Sequence, residues 1–265
     1  MYMTPQYDII LIVLVYRNTS DLAEFFNSNT LSNTKTIVVN SYYDSETESE
    51  FKRLSDEHHA DFISVPNRGY GAGNNAGIAY AVENYNFKYL IVSNADITIE
   101  RFNRDILDRF EKTVFAPKIL TISGKNQNPS SPFSPSRLRE WIVRKIYSGN
   151  HRHLIFLFYG WSRLSKITYY LISPLRKRIE APHGAFFIMP YSVVNCLKPI
   201  FNERMFLFFE ENHLGKLARK NNISIRYTPE IVIRHKEDGS VNYLSTSIFQ
   251  LMRQSYIEYY DYWNK

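Results

Sequence analysis

The chain has 265 residues, a formal net charge of +6, 44% hydrophobic residues and one cysteine. This length and apolar content suffice for one large folded domain and exclude a mostly disordered chain. The single cysteine, Cys196, excludes an internal disulfide and a multi-cysteine metal site, and we expect it to be buried as a small apolar residue. The positive charge favours an anionic partner, which leaves nucleic acid, a phosphorylated substrate and an acidic membrane surface open.

The N-terminal residues are polar and lack the basic region that begins a signal peptide. The apolar run at 9–15 is too short for a signal sequence or a transmembrane helix and predicts a buried strand. We therefore expect a cytoplasmic protein.

Four short runs rich in β-branched residues predict buried strands at 9–15, 36–39, 62–65 and 89–92. Stretches with helical patterns separate them, which predicts an α/β fold with a mainly parallel central sheet flanked by helices. Polar clusters follow three of these strands, at 16–18, 40–44 and 94–96. Ligands of such sheets bind at the carboxyl ends of the strands, so these clusters predict a binding site.

A glycine-rich segment at 66–77 predicts a loop that leads into a helix at 78–84. It does not match the dinucleotide-binding fingerprint, and no Gly-Lys-Ser/Thr of a P-loop occurs. Hydride transfer and ATP hydrolysis therefore lose support.

The second half begins with a predicted loop at 125–136, followed by a basic, aromatic stretch at 137–178 that contains ten Lys or Arg residues and one acid, Glu140. Such a stretch suits nucleic acid, an anionic membrane surface or plain solvent exposure. Because no nucleic-acid motif accompanies it, we favour the membrane surface or a lipid-diphosphate acceptor.

Further along the chain, strand-like pieces at 185–189 and 223–227 flank an aromatic strand at 205–209 and a helix at 212–220. The tail from 243 to 265 has the spacing of an amphipathic helix, which would dock on its own domain, on a second subunit or on a membrane.

Three sets of side chains suit chemistry. Asp96, with Asn94 before it, suits a hard cation such as Mn²⁺ or Mg²⁺ that bridges a diphosphate, although an N-cap is the simpler alternative. Glu210 and Glu211 suit a general base, or favourable charges at a helix start. His235 suits a metal or phosphate ligand, or a structural histidine.

The order of these motifs resembles family 2 glycosyltransferases with the GT-A fold, especially bacterial rhamnosyltransferase-like enzymes that build surface polysaccharides. The matching segments are 14–18, 37–41 with Asp44, 67–77, 92–96, 183–186, 201–211 and His235 with Gly239-Ser240. Together they cover most of residues 8–240.

The resemblance implies a role for each matching position. Asp96 and His235 would hold the cation, Glu211 would be the catalytic base and Glu210 its neighbour and fallback. His183, Gly184 and Phe186 would face the acceptor. The donor nucleotide-sugar would contact Val15, Tyr16, Arg17, Asn40, Asn67, Gly73, Asn74, Asn75, Asn94 and His235.

Three positions depart from the family pattern. Asn40 stands where the family has an Asp that contacts the pyrimidine, Glu211 replaces an Asp, and His213 replaces a second acid. The resemblance also implies a nucleotide-sugar half at 1–118, an acceptor half at 119–240 with the insertion 137–178, and a helical tail at 241–265.

The implied reaction is an inverting transfer from a nucleoside-diphosphate sugar, such as deoxythymidine-diphosphate rhamnose or a uridine-diphosphate hexose. The acceptor would be a saccharide or an undecaprenyl-diphosphate-linked sugar of O-antigen or capsule synthesis, reached by peripheral contact with the inner membrane face. Two alternatives remain. A nucleotidyltransferase lacks its usual glycine-rich phosphate loop here, and a catalytically silent glycan-binding or scaffold protein would keep the fold alone.

Overall fold

The computed structural model describes residues 6–28, 31–149, 151, 154–172, 177–237 and 247–265. The strands are β1 (Gln6–Val15), β2 (Thr34–Tyr42), β3 (Asp61–Pro66), β4 (Asn86–Asn94), β5 (Ile97–Arg101), β6 (Thr113–Thr121), β7 (Arg178–Ile179), β8 (Phe186–Pro190) and β9 (Ser224–His235). The helices are α1 (Thr19–Ser28), α2 (Ser45–Glu57), α3 (Tyr70–Asn84), α4 (Arg137–Ser148), α5 (Ile155–Ile172), α6 (Tyr191–Leu197), α7 (Glu210–Lys220) and α8 (Ile248–Trp263), with a 3₁₀ helix at Arg104–Arg109.

These strands form one sheet in the order β3-β2-β1-β4-β8-β6-β9-β5, with β7 paired to β9. β3, β2, β1 and β4 are parallel, since a helix carries the chain back between successive strands. Among the described residues, the antiparallel pairs are β4 with β8, β6 with β8, β5 with β9 and β7 with β9, and each of them includes a strand that follows residue 177. The predicted α/β fold, with a mainly parallel central sheet flanked by helices, is confirmed. The predicted boundary at residue 118 falls inside β6, so the two halves share this sheet.

Both faces of β1 are buried, as its continuous apolar run predicts. Ile10 and Ile12 belong to one apolar cluster, and Ile9, Leu11 and Val13 belong to another on the opposite face. Because successive side chains of a strand point to opposite faces, helices must cover β1 on both sides. Packing on both faces therefore fixes the position of the carboxyl end of β1 and of the residues that follow it.

The glycine-rich segment differs from the prediction of a loop, because α3 already begins at Tyr70. A Cβ at Gly73 would lie 2.5 Å from Leu14 Cδ1, and one at Gly77 would lie 2.7 Å from Val39 Cγ2. These glycines let the helix approach β1 and β2 closely, and within this segment Gly69, just before the helix, has a positive φ of 100°. The glycines that predicted a loop are instead required for the close packing of α3 on the sheet.

Residues 205–209, predicted as an aromatic strand, are irregular. Phe208 and Phe209 have φ angles of 78° and 70°, a region that costs a residue with a side chain about 1–2 kcal/mol. Backbone strain of this kind is concentrated at functional sites. The segment ends directly at Glu210, the first residue of α7.

The C-terminal helix docks on its own domain. Tyr256 and Tyr259 of α8 pack with Val143 and Tyr147 of α4. Trp263 Nε1 donates a hydrogen bond to His213 Nδ1 at 3.1 Å. Of the three partners expected for the tail, the structure shows its own domain. Residues 241–246 of the predicted tail lie outside the described residues.

Cys196 is exposed, contrary to the expectation that it would be buried. The short helix α6 buries Val193, Val194 and Leu197, and Cys196 lies on the other side of it. Among the described residues, no helix has the length and apolar character needed to cross a membrane.

Candidate functional site

A cavity of about 320 Å³ lies at the carboxyl ends of β1, β2 and β4. The sheet brings three polar clusters together there, as the sequence predicted. Seven predicted site residues line this first cavity: Val15, Tyr16, Asn67, Asn94, Asp96, His183 and His235. Asn18 and Ser41 of the predicted polar clusters also line it, and so do residues without a predicted individual role, among them Asp21, Tyr70, Gln127, Phe206 and Leu207.

Asp96 and His235 are brought together by the pairing of β5 with β9. Ile97 is the register partner of His235, and Lys236 donates its backbone N–H to the Asp96 carbonyl at 3.1 Å. His235 Nε2 therefore lies 3.1 Å from Asp96 Oδ2, with both side chains buried. On its other side, His235 Nδ1 lies 2.7 Å from Gln127 Oε1, which fixes the orientation of the ring.

This pair fits a divalent cation. Asp96 Oδ2 is buried but has no hydrogen bond of acceptable geometry, so its lone pair is unsatisfied despite the nearby imidazole. Two ligands at neighbouring corners of an octahedron with bonds of about 2.1 Å lie roughly 3 Å apart. Within the described ranges, no group of three or more His, Cys, Asp or Glu side chains is placed to hold a metal, so water and phosphate oxygens would complete the coordination.

Asp21 is a second carboxylate at the first cavity and was not among the predicted site residues. It lies in the first turn of α1, accepts a hydrogen bond from Asn18 Nδ2 at 2.7 Å, and lies 3.6 Å from Lys236 Nζ. Asp21 and Asp96 both line the first cavity, and burial first, and then the charge of Asp96, raises the pKa of Asp21. Its position directly after the carboxyl end of β1 is the signal that could have identified it.

His183 is held as a neutral ring. Its Nδ1 accepts the Ala185 backbone N–H at 3.1 Å, and its own backbone N–H donates to Asn128 Oδ1 at 2.7 Å. Burial first, and then the neighbouring His235, lowers the pKa of His183 to about 3. The proton of the neutral ring therefore resides on Nε2, which leaves an N–H donor at the cavity.

The residues after β1 and β2 form the outer side of the cavity. Tyr16 packs edge-on against Tyr43, and Arg17, at a φ of 64°, stacks on Tyr43 with its Cζ 3.8 Å from the ring centre. Arg17 does not line the cavity itself. Asn40 also turns away, because its Nδ2 donates to Ser64 of β3 at 3.1 Å, and the next residue, Ser41, lines the cavity in its place.

Four residues that were predicted to bind a ligand instead pack or form hydrogen bonds inside the protein. Gly73 allows the close approach of α3, and Asn74 is fully buried with its Nδ2 donating to the Tyr70 carbonyl. Asn75 bonds both backbone groups of Phe201, and Phe186 is fully buried in the core as the first residue of β8. None of these four lines the first cavity.

The two predicted catalytic carboxylates, Glu210 and Glu211, do not line the first cavity. Glu211 Oε1 accepts the Gly184 N–H at 3.2 Å, and the Gly184 carbonyl accepts a hydrogen bond from Tyr70 Oη at 2.6 Å. Burial raises the pKa of Glu211. Burial and the adjacent Glu211 raise that of Glu210 well above its usual range. The pair is therefore suited to carry one negative charge, on Glu211, while Glu210 stays protonated.

A second cavity, of about 230 Å³, lies on the Glu211 side. The irregular segment separates the two cavities, since Phe206 and Leu207 line the first and Phe208 and Phe209 line the second. The rest of its lining includes Ser130, Ser131, Arg139, Glu140, Val143, Ser162, Asn212, Tyr256 and Tyr259. Glu140 is buried there and pairs with Lys216 Nζ at 2.7 Å and with Tyr259 Oη at 2.7 Å.

Two predicted features fall outside this geometry. Gly239 and Ser240 lie outside the described residues. His213, at the position of an expected second acid, faces the C-terminal helix rather than a cavity. Burial lowers the pKa of His213 to about 4, which keeps it neutral as the acceptor for Trp263.

No protein-family model matches the chain. A curated relative is the low-salt glycan biosynthesis hexosyltransferase Agl10 of Haloferax volcanii, which is 24% identical over 225 residues, covering 82% of this chain and 64% of the relative. The chain therefore spans slightly less than two thirds of that protein.

Solved structures share the fold. They include GalNAc-T7 with UDP, GalNAc and Mn²⁺ (TM-score 0.57, 9% identity, 87% of this chain and 44% of that one). The Pyrobaculum calidifontis mannosyltransferase PcManGT with GDP-Man and Mn²⁺ gives a TM-score of 0.52 at 13% identity, covering 91% of this chain and 60% of that one. Residues 1–349 of S. aureus TarS give 0.51 at 14% identity, covering 86% and 60%. The chain has the GT-A-like fold of these glycosyltransferases.

Proposed function

We propose that the chain is an inverting glycosyltransferase that moves a hexose from a nucleoside-diphosphate sugar to a saccharide or lipid-linked acceptor during glycan assembly. The observation that carries this proposal is the pairing of Asp96 with His235 in the first cavity, with Glu211 across Gly184 from it. The fold shared with enzymes that bind UDP or GDP-Man together with Mn²⁺ supports it.

In this proposal the nucleotide lies along the carboxyl ends of β1 and β4. Tyr16 and Ser41 contact the base and ribose, and Asn67 and Asn94 contact the sugar and phosphates. Asp96 and His235 would hold Mn²⁺ or Mg²⁺, which neutralises charge on the leaving diphosphate when bound. His183 adds a neutral N–H donor on the same side, and the cavity walls orient the anomeric carbon.

Glu211 is the proposed base. It accepts the proton of an acceptor hydroxyl as that oxygen bonds to the anomeric carbon from the side of the second cavity. The bond from the anomeric carbon to the diphosphate breaks, and its electron pair leaves with the nucleoside diphosphate. A raised pKa makes Glu211 a stronger base than an exposed carboxylate, and the Gly184 N–H holds it in place.

The donor class follows from the relatives and the resemblance. Agl10 is a hexosyltransferase of low-salt glycan biosynthesis, which supports a hexose donor and a role in glycan biosynthesis. Uridine and deoxythymidine diphosphates are the proposed carriers, with deoxythymidine-diphosphate rhamnose as the variant that the sequence resemblance favours. O-antigen or capsule synthesis is the proposed context, and an undecaprenyl-diphosphate-linked sugar the proposed lipid acceptor.

A thermal-shift panel tests the donor site. It contains uridine, deoxythymidine, guanosine and cytidine diphosphates, with NAD and ATP as controls, each with and without Mn²⁺. At a hundredfold excess over Kd, we expect one pyrimidine diphosphate to raise the melting temperature by roughly 5 °C in a Mn²⁺-dependent way. No shift with any nucleotide would contradict the proposal.

One observation favours a second candidate, a catalytically silent glycan-binding or scaffold protein. The described part of the chain contains no group of three or more His, Cys, Asp or Glu side chains placed to hold a metal, and Asn40 does not line the first cavity. A protein that binds glycan but neither binds a nucleotide nor releases nucleoside diphosphate from any donor would have this second function.

A further inference from the structure

The solvent-facing side of α5 is apolar. At 3.6 residues per turn, positions 156, 160, 164, 167 and 171 fall within an arc of about 80°. Phe156, Leu164, Ile167 and Leu171 on this arc are 55% to 79% exposed, and a Cβ at Gly160 would meet nothing within 4 Å. Tyr169, on the opposite side, is fully buried. The helix therefore has one apolar face against the protein and a second one in solvent.

The neighbouring helix α4 has the same character. Leu138, Trp141 and Ile142 are 44% to 66% exposed, whereas Val143 and Tyr147 on the other side are buried. Arg139 of α4 lies with its Cζ 5.9 Å from the centre of the Trp161 ring of α5, so the two helices meet there. We call the exposed apolar residues of α4 and α5 the α4–α5 face. Contiguous exposed apolar residues on this scale mark an interaction site.

Among the side chains that the structure describes, the exposed charged residues of α4 and α5 are all cationic. α5 contains no Asp or Glu, and the one acid of α4, Glu140, is buried in its pair with Lys216. Arg137, Lys145 and Arg163 are exposed on these helices, and Lys145 Nζ lies 5.7 Å from the Trp141 ring centre. Apolar side chains flanked by cations and by tryptophan are the composition of a helix that lies in an anionic lipid interface.

We propose that the α4–α5 face binds the surface of an anionic phospholipid bilayer, with both helices lying in the plane of the interface. Phe156, Leu164, Ile167 and Leu171 enter the boundary between headgroups and acyl chains, and the cations contact lipid phosphates. Arg139 and Ser162, on these same helices, line the second cavity. The bound surface would therefore adjoin the cavity that contains Glu211.

Vesicle co-sedimentation tests this surface. The vesicles are phosphatidylcholine alone and phosphatidylcholine mixed with phosphatidylglycerol. We expect Leu164→Ser/Ile167→Ser/Leu171→Ser to lower partitioning to the mixed vesicles by more than about tenfold. The matched control Ile122→Ser/Tyr191→Ser removes exposed apolar residues elsewhere and should bind like the unmodified chain. Equal melting temperatures for both variants establish that both are folded.

A charge variant separates the two parts of the interaction. We expect the variant Arg137→Gln/Lys145→Gln/Arg163→Gln to partition at least about tenfold less to vesicles with phosphatidylglycerol. Its partitioning to phosphatidylcholine alone should change little. Equal binding of this variant and the unmodified chain to the mixed vesicles would contradict the anionic preference.

Tryptophan quenching by brominated phosphatidylcholine locates the contact. The chain has three Trp residues, and Trp263 is docked against His213 rather than on the α4–α5 face. Bound to mixed vesicles, the unmodified chain should be quenched, and Trp141→Phe/Trp161→Phe should not. Quenching that persists in this double variant would overturn the assignment. So would a dimer seen by light scattering that the α5 triple variant dissociates while vesicle binding is unchanged, since the face would then be a contact between two copies.

Discussion

At the residue scale, the adjacent carboxyl groups at the start of α7 have unequal surroundings. Glu211 accepts the Gly184 N–H, whereas Glu210 is buried with Oε1 lacking a hydrogen bond. We expect Glu211→Gln to lower kcat by about 10²–10⁴-fold with donor binding unchanged. Glu210→Gln should retain turnover and the acid limb of the pH–rate profile, because Glu210 is already neutral when Glu211 titrates. Turnover at the original rate in Glu211→Gln would eliminate Glu211 as the base.

The raised pKa of Glu210 also affects stability. A folded-state pKa above the unfolded value means that the folded chain binds more protons between the two values, so stability falls as pH rises through this window. We expect Glu210→Gln to be more stable than the unmodified chain at pH 8, with the difference disappearing near pH 4. Urea unfolding at both pH values measures this. A variant that is equally destabilised at both would show that Glu210 does not stay protonated in the folded state.

Sequence reasoning located residues whose position depends on strand order and missed those that depend on distant contacts. Asp96 follows a buried strand, so its place at a strand end was predicted, whereas the strand that ends at His235 was predicted only over 223–227. Asn75 was predicted as a ligand contact, but it holds the Phe201 backbone, a partner that no local pattern identifies. Gln127, which contacts His235, lay in a segment predicted only as a loop.

At the element scale, the glycines of α3 fix its distance from the sheet. We expect Gly77→Ala to destabilise the protein by about 1–3 kcal/mol, because its Cβ would lie 2.7 Å from Val39 Cγ2 and 2.8 Å from Ile12 Cγ2. Gly160→Ala in α5 is the matched control, since a Cβ there meets nothing. It should stabilise the protein by roughly 0.5–1 kcal/mol. Chemical denaturation compares the two, and a neutral Gly77→Ala would contradict close packing at this position.

The docking of α8 should depend on pH through His213. Burial lowers the His213 pKa to about 4, so the unfolded chain binds the proton first and stability falls as pH decreases from about 6.5 toward 4. Between pH 7 and pH 4.5, we expect the free energy of unfolding to fall by roughly 2 kcal/mol less in His213→Gln than in the unmodified chain. Urea denaturation of both proteins at the two pH values measures this difference. An identical acid loss in the variant would show that His213 does not titrate in this way.

The tail helix α8 and the glycine-rich segment 66–77 show that the contacts of an element are harder to predict from sequence than its type. Amphipathic spacing was enough to predict the helix in the tail, but its docking partners are apolar residues of α4 and a histidine of α7. Composition alone suggested a loop at 66–77, because glycines that allow flexibility and glycines that allow close packing look the same in a sequence.

At the scale of the whole molecule, one sheet runs through both halves that the resemblance implies. β6 and β9 pair in parallel, and β9 then delivers His235 to Asp96 at the end of β4. The parallel half was predictable because each strand is followed by its own helix. The antiparallel insertion of β8 between β4 and β6 was not, since it depends on contacts between segments far apart in the chain.

Asp96 and His235 are proposed to form a cation-dependent site for a nucleoside diphosphate. Calorimetric titration of uridine and deoxythymidine diphosphates, with and without Mn²⁺, measures it in the unmodified chain, in Asp96→Asn and in the exposed control Asp105→Asn. We expect Mn²⁺ to strengthen binding of one nucleotide in the unmodified chain and the control, and Asp96→Asn to weaken it by at least about 10–100-fold. Binding that is independent of Mn²⁺ and unchanged in Asp96→Asn would contradict the account.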